Sequence, residues 1–284
     1  LLHWLTFLVF VKAELNSECT LDKKSEPMSD QFDDHVASIT NLVKQSVLGS
    51  FRNLLEVEFK SDESPVTKAD LEAEKLVRQY LAKHFPQDGI FGEEFGTEGV
   101  ERENVWVVDP IDGTRSFLSG HPTFGFLLAR LKAGVPELGV IAMPALNETL
   151  IGHRGKGASL NKKPVQVSSQ KSLDQAILYV NEGDKIYKIH PEIFERLMNS
   201  GQTRRFAYDC YPHALVAMGH VDAVIDYDLQ PYDYLAVSTV VKAAGGVATD
   251  WNGNSLGLSS GTRAMVSAAT PELHNEILNL LKDA

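Results

Sequence analysis

Carboxylates crowd beside glycine and threonine in five short stretches of the 284-residue chain: Lys60 to Asp70 (KSDESPVTKAD), Gly92 to Gly96 (GEEFG), Val107 to Thr114 (VVDPIDGT), Asp226 to Asp228, and Pro231 to Asp233 (PYD). With 38 Asp and Glu in the chain, any one acid pair reads as solvated surface or a helix cap. DPIDGT stands apart, since average residue frequencies give it on the order of one chance in 10⁵ in a chain this long. The apolar run VWVV delivers Asp109, Pro110 fixes a turn, and Asp112 brings a second carboxylate to the same side. Gly113 and Thr114 follow where a helix (TRSFLSG) can begin, so their N–H groups are expected to face an anion with the helix dipole behind them. Hard oxygen ligands without His or Cys select a hard cation, and a site completed by substrate phosphate is the habit of Mg²⁺. The chemistry on offer is metal-assisted attack on a phosphate. The plainer alternative is an Asp-Pro-x-Asp-Gly turn between strand and helix.

Those residues need mounts. After Met28, Phe32, Val36, Ile39, Leu42, Val43 and Val47 recur at three- and four-residue steps, one face of a helix that Ser29 or Asp30 would cap. A short strand is expected at Leu55 to Phe59. Thr67 and Asp70 form a capping box at the head of ADLEAEKLVRQYLAKHF, a second helix ended by Pro86 and Gly89. IFGEEFG and NVWVVDPIDGT read as strands running into polar loops, while FGFLLARL, LGVIAMP and ETLIGHR read as antiparallel strands. Past Lys163, strands AILYVN, RFAYD, DAVIDY, VATDW and AMVSAA interleave with helices PEIFERLMN, PHALVAMGH, YDYLAVSTVVKAAG and PELHNEILNLLKD. Thr270 and Pro271 sign the start of the last one. These elements make an α/β (α+β) chain: an N-terminal α+β lobe at residues 28–160 with most of the acid motifs, and a C-terminal α/β lobe at residues 161–284 that completes the site.

Composition narrows the partners. The 27 Lys and Arg leave a formal charge of −11, and 43% hydrophobic with 23% charged residues is ordinary globular usage, against disorder, collagen or coiled coil. An acid excess repels a polyanion, so nucleic acid is excluded as a partner. Cys19 and Cys210 make neither a disulfide framework nor a metal knuckle, and a reducing, cytoplasmic setting is expected. The apolar run Leu1 to Val11 is shorter than the roughly 20 residues of a transmembrane helix, so no membrane association is expected. Residues 1–27 read as an upstream extension outside the fold. His121, His213 and His220 lack metal-ligand spacing and are expected in packing or surface roles.

GEEFG, WVVDPIDGTRSF and PYDYLAVSTVVKAAGG, in that order with KSDESPVTKAD upstream, resemble the inositol monophosphatase family of Mg²⁺-dependent, Li⁺-sensitive phosphatases over Phe32 to Ala284. The resemblance implies a layered αβαβα sandwich of the inositol monophosphatase and fructose-1,6-bisphosphatase type, a homodimer, and two or three Mg²⁺ ions per site. It implies Glu93, Asp109, the Ile111 carbonyl, Asp112 and Asp233 as metal ligands, with Asp109 bridging two ions. Asp70 and Thr114 would be the catalytic pair that orients the attacking water, alongside Glu93. Gly113 and Thr114 would hold the phosphate, with Glu94 and Lys60 in supporting roles. Asp70 as a capping acid is compatible with that duty, because a cap at the edge of a site is also a rigid mount. Glu94 and Asp62 read equally well as solvent-facing.

Within the family, SFLSGHPTFGFLLARL, YDCYPHALVAMGHVDAVIDYDLQPYD and GGVATDW resemble the histidinol-phosphate phosphatase branch more than the inositol phosphatases. Tyr232 stands where the latter usually have Trp, Asp226 where they have Glu, and Asp209-Cys210-Tyr211 where they have a Gly-Thr-Ala-like stretch. Asp112, Asp209 and Asp226, with Asp228 beside them, would bind the ammonium and imidazole of histidinol phosphate by charge pairing. The alternative for Asp226 and Asp228 is that they end an edge strand. The expected activity is hydrolysis of histidinol phosphate to histidinol and phosphate, a step of histidine biosynthesis; inositol 1-phosphate or a broader set of phosphomonoesters is the alternative. No additional basic patch for a second phosphate is visible, which argues against nucleotide 3′-phosphates and fructose bisphosphate. A non-catalytic regulatory protein of this fold would show damaged metal ligands, and here each one is intact.

Overall fold

The computed structural model describes residues 31–53, 57–59, 65–261 and 263–282; residues 1–27, Ser29, Asp30, Lys60 and Asp62 lie outside them. Helix α1 (Asp33–Ser50) buries Val36, Ile39, Val43 and Val47, and Phe32 just ahead of it is buried too, five of the six apolar positions expected on that face. Strands β1 (Val57–Phe59) and β2 (Pro65–Thr67) pair antiparallel and lead into α2 (Lys68–His84). The capping box at its head is formed: the Thr67 N–H donates to Asp70 at 2.8 Å and the Ala69 N–H to Thr67 Oγ1 at 3.1 Å. Such a start is worth about 0.5–2 kcal/mol.

Then come β3 (Gly89–Gly92), β4 (Gly96–Glu98), β5 (Asn104–Asp112), α3 (Thr114–Leu118), β6 (Gly125–Lys132), β7 (Val135–Met143), β8 (Glu148–His153), β9 (Gly157–Leu160) and β10 (Lys163–Val165). They build an eight-stranded sheet in the order β10-β9-β8-β7-β6-β5-β3-β4. Within it β5 to β8 run antiparallel as the alternating segments predict, and β3 runs parallel to β5. The remaining elements are β11 (Ile177–Asn181), α4 (Gly183–Ile189), α5 (Pro191–Met198), β12 (Thr203–Ala207), α6 (Tyr211–Ala217), β13 (Ala223–Tyr227), α7 (Pro231–Ala243), β14 (Val247–Thr249), β15 (Ala264–Ala268) and α8 (Pro271–Leu281). A five-stranded sheet runs β12-β11-β13-β15-β14, parallel across its first three strands and antiparallel across its last three. Helix α4 carries no sequence signal because its start lacks a side-chain cap and Glu182 before it is left-handed at φ 49°.

Three apolar cores separate five layers. Helices α1 and α2 cover Trp106, Val108, Phe126, Leu128 and Val140 on one face of the large sheet. The opposite face, with Val105, Val107, Leu127 and Ile141, packs on Ala214 of α6 and on Leu235 and Val240 of α7, which in turn meet Val224 and Met265 of the small sheet. Outside that sheet, Leu178, Val180 and Val266 lie beneath Ile186, Ile193 and Leu273 of α4, α5 and α8. This is the expected α/β/α/β/α sandwich, and each fully buried side chain of this size contributes roughly 1.5–3 kcal/mol. The central helix sits unusually close to the large sheet: a Cβ on Gly139 would lie 2.5 Å from the Ala236 carbonyl oxygen, and one on Gly152 would lie 2.7 Å from the Val240 Cα. No helix among the described residues is long and apolar enough to cross a membrane.

Candidate functional site

Alternation along β5 sends Val105 and Val107 toward the central helices and Trp106 and Val108 toward α1 and α2. Asp109 follows the first set. In a regular strand Asp112, three residues on, would point the other way. Instead the pairing of β5 with β6 shifts between Asp109 and Asp112, so three steps on β5 oppose two on β6. This bulge turns Ile111 into the helix-side core and brings Asp112 back to the face of Asp109. The expected turn at Pro110 is therefore a bulge inside a strand that runs three residues beyond Asp109.

Asp233 reaches the same point from the first turn of α7, where the Gln230 N–H donates to one of its oxygens at 2.6 Å. Ligand oxygens of Asp109, Asp112 and Asp233 all lie within 4.8 Å of one another. Glu93, in the turn after β3, lines the same cleft of about 220 Å³. Burial first, then the charges of Glu93, Asp112 and Asp233, push the Asp109 carboxyl well above the usual carboxylate range. Burial and then Glu93 push Asp233 up to about 8. With Asp109 and Asp233 both pushed up and each facing the charge of Glu93, the cluster retains protons near neutral pH while no cation is bound. Without a Lys or Arg among them, these acids fit a hard divalent cation that takes the place of those protons.

The pH dependence follows. The folded pKa of Asp233 lies above its unfolded value of 3.8, so its contribution to stability is present below about pH 4 and is lost as the pH rises through about 8. Metal-free protein should melt at a lower temperature at pH 8 than at pH 6, and Mg²⁺ uptake at pH 7 should release protons. Calorimetry in buffers of different ionisation enthalpy reads the release; uptake without it would contradict proton retention by the cluster.

Beside the acids stand Asp70, fully buried, and Thr114. The Thr114 hydroxyl lies 3.3 Å from Asp70 Oδ1 and 3.3 Å from the Ile111 carbonyl oxygen, while Asp70 Oδ2 accepts from the Thr67 N–H and hydroxyl. Asp70 thus caps α2 with one oxygen and faces the site with the other. Gly113, at φ 86°, opens the short helix α3. The cleft continues past Cys210, whose N–H donates to Asp112 at 2.5 Å, to Asp209, which accepts from the Ser116 hydroxyl at 2.5 Å. Burial pushes the Asp209 carboxyl up to about 6.

The far wall holds contacts the sequence does not show. Asp226 lines the cleft although only 3% exposed, and it accepts from Asn181 at 2.7 Å and from the Tyr227 N–H at 2.8 Å, with His213 Nε2 at 2.9 Å. Asp228 is paired with Lys185 at 2.9 Å and with Arg263, and Arg115, Lys185 and Arg263 all line the cleft, a basic rim the sequence did not reveal. His213, expected in a packing or surface role, is buried in the cleft wall, where it bridges Asp226 and Ser267. His121 and His220 are exposed as expected, Glu94 is half-buried, and Tyr232 meets Phe91 edge to face.

Comparison with known proteins agrees with this geometry. The model of the inositol monophosphatase family matches residues 28–284. The chain belongs to that family. It is 40% identical over 206 residues to the histidinol-phosphatase of Chlorobaculum parvum, covering 71% of this chain and 78% of that one. It is 37% identical over 240 residues to the chloroplastic bifunctional phosphatase IMPL2 of Arabidopsis thaliana, covering 82% of this chain and 69% of that one. Among solved structures, an inositol monophosphatase from Zymomonas mobilis superposes with a TM-score of 0.80 at 31% identity, over 89% of this chain and 99% of that one. Membership makes the chain a phosphatase of the inositol monophosphatase type, and the shared fold carries the acid cluster described above.

Proposed function

We propose that this family member is a Mg²⁺-dependent phosphomonoesterase whose substrate is histidinol phosphate. The observation that carries the proposal is the meeting of Asp109, Asp112 and Asp233 within 4.8 Å. Glu93, Asp109, the Ile111 carbonyl, Asp112 and Asp233 would hold Mg²⁺, which when bound would supply a water of lowered pKa and offset charge on the phosphate. Thr114 and Asp70 orient the attacking water, and Asp70, whose carboxyl burial raises, accepts its proton through the Thr114 hydroxyl. The Gly113 and Thr114 N–H groups, at the free start of α3, hold phosphate oxygens as charge redistributes. Asp209 pairs with the ammonium of the substrate, and Asp226 supports that wall through Asn181, which also donates to the Asp209 carbonyl at 2.9 Å. The identity to histidinol-phosphatases supports this choice over inositol 1-phosphate, the second reading, which the Zymomonas relative favours.

Phosphate release from histidinol phosphate and from inositol 1-phosphate, each with Mg²⁺, with EDTA and with added Li⁺, tests both. A preference of at least about tenfold in kcat/KM for histidinol phosphate is expected, with no turnover in EDTA and inhibition by Li⁺. Equal slow rates on the two esters would leave a generalist of the family.

A further inference from the structure

Glu74 is fully buried in α2, yet it contributes nothing to the cleft surface. Its Oε2 accepts the Glu94 N–H at 2.7 Å; its Oε1 accepts the Phe95 N–H at 3.2 Å and Arg78 Nε at 2.8 Å. Arg78 in turn donates to the Gly96 carbonyl at 2.5 Å. One carboxylate therefore gathers the whole turn between β3 and β4 that begins with Glu93. The approach is made possible by Gly92, where a Cβ would lie 1.9 Å from Glu74 Oε1. On the other side, the Glu93 N–H donates to the Val108 carbonyl of β5 at 3.1 Å, one residue before Asp109.

We propose that Glu74 is a positioning residue for the metal site: it fixes the backbone of the Glu93 turn so that the Glu93 carboxylate is held against Asp109. Glu74 lies one helical turn from Asp70, on the same face of α2. A single rigid helix thus sets the water-orienting pair with one acid and the Glu93 turn with the next. Removal of Glu74 leaves the part-buried Glu94 and Phe95 N–H groups and Arg78 Nε without the acceptor that draws them together, so the turn is free to shift. The assignment rests on Glu93 being a metal ligand.

Calorimetric titration of the metal-free full chain with Mg²⁺ tests it, comparing the parent with Glu74→Ala, Glu74→Gln, Glu93→Gln and Arg130→Met. Arg130 lies elsewhere on the large sheet, salt-bridged to Asp88 and Glu137, and its loss serves as a purely structural control. Glu74→Ala should weaken Mg²⁺ binding roughly 10- to 100-fold, the usual effect of losing a residue that orients a ligand. Glu74→Gln, which keeps an acceptor, should fall between it and the parent. Arg130→Met should melt at a lower temperature and keep its affinity. A folded Glu74→Ala that binds within about twofold of the parent while Glu93→Gln has lost affinity overturns the assignment. If Glu74→Ala does not fold, unchanged affinity in Glu74→Gln overturns it equally. An equal loss in Arg130→Met does the same, since it would report general loosening. Parental affinity in Glu93→Gln removes Glu93 as a ligand, and the role of Glu74 falls with it.

Discussion

Asp109→Asn is expected to cut phosphomonoester turnover about 10³-fold or more, because the several kcal/mol of charge stabilisation supplied at a metal site are lost with a central ligand. The same change should stabilise the metal-free protein. Asp109 is 1% exposed, and burial and three neighbouring acids oppose its ionisation. An Asn amide is neutral and offers N–H donors to the neighbouring Glu93 and Asp233 carboxylates, whose charges Asp109 opposes. In EDTA at pH 8 the variant should melt above the parent, by roughly 2–4 °C for each kcal/mol relieved. In Mg²⁺ the order should reverse, since ligand stabilisation grows with RT ln(1 + [L]/Kd) and the variant has lost affinity. Turnover within tenfold of the parent, or a lower melting temperature in EDTA, would remove Asp109 from the centre of the site.

Gly113→Ala should damage stability and turnover together. A non-glycine residue at φ 86° costs about 1–3 kcal/mol in backbone strain. Its Cβ would also lie 2.4 Å from Asp209 Cγ, far inside contact distance. Asp209 cannot yield freely, because Ser116 holds its carboxylate and Asn181 its carbonyl. Displacement would carry Cys210 with it and pull the N–H that steadies Asp112. A shift of about 1 Å in catalytic groups can cost 10²-fold, and a loss of that order in kcat is expected. Adding Asp209→Ala should recover part of the stability by removing the clash, and a double-mutant cycle on melting would read that coupling. Strict additivity would mean that the two residues do not collide.

Motifs whose meaning is local could be read from the chain alone. The capping box at Thr67 and Asp70, the start of α8 at Thr270 and Pro271, and the acids of VVDPIDGT depend on neighbours one to five residues away. The bulge in β5 lies among the same residues but escaped notice, because it is defined by register against β6 and not by composition. His213 is buried, in keeping with a packing role, but its partners could not be named: Asp226 and Ser267 are 13 and 54 residues away, and only the fold brings them together. The pairing of Asp228 with Lys185 and Arg263 is equally non-local. The mixed direction of the small sheet was hidden by a regular strand–helix alternation, whose last connection, from β14 to β15, lacks a crossover helix. Glu74 did leave a trace. It sits beside Ala73 and Val77 on the buried side of an amphipathic helix, where an acid has no reason to be unless something polar meets it.

The seating of α7 on Gly139 and Gly152 has a mechanical consequence. The nearest helix atoms there are backbone, the Ala236 carbonyl and the Val240 Cα, flanked only by the short Thr239 and Ala243 side chains, so little can rearrange to let the helix slide. Asp233 at the tip of α7 is thereby tied to the sheet that carries Asp109 and Asp112. Enzymes that assemble their sites by swinging two bodies together need slack at this joint, and here the joint is closed at rest. The cation would meet three carboxylates whose mounts, β5 and α7, are already seated against each other, so binding it would require no sliding of that helix on that sheet.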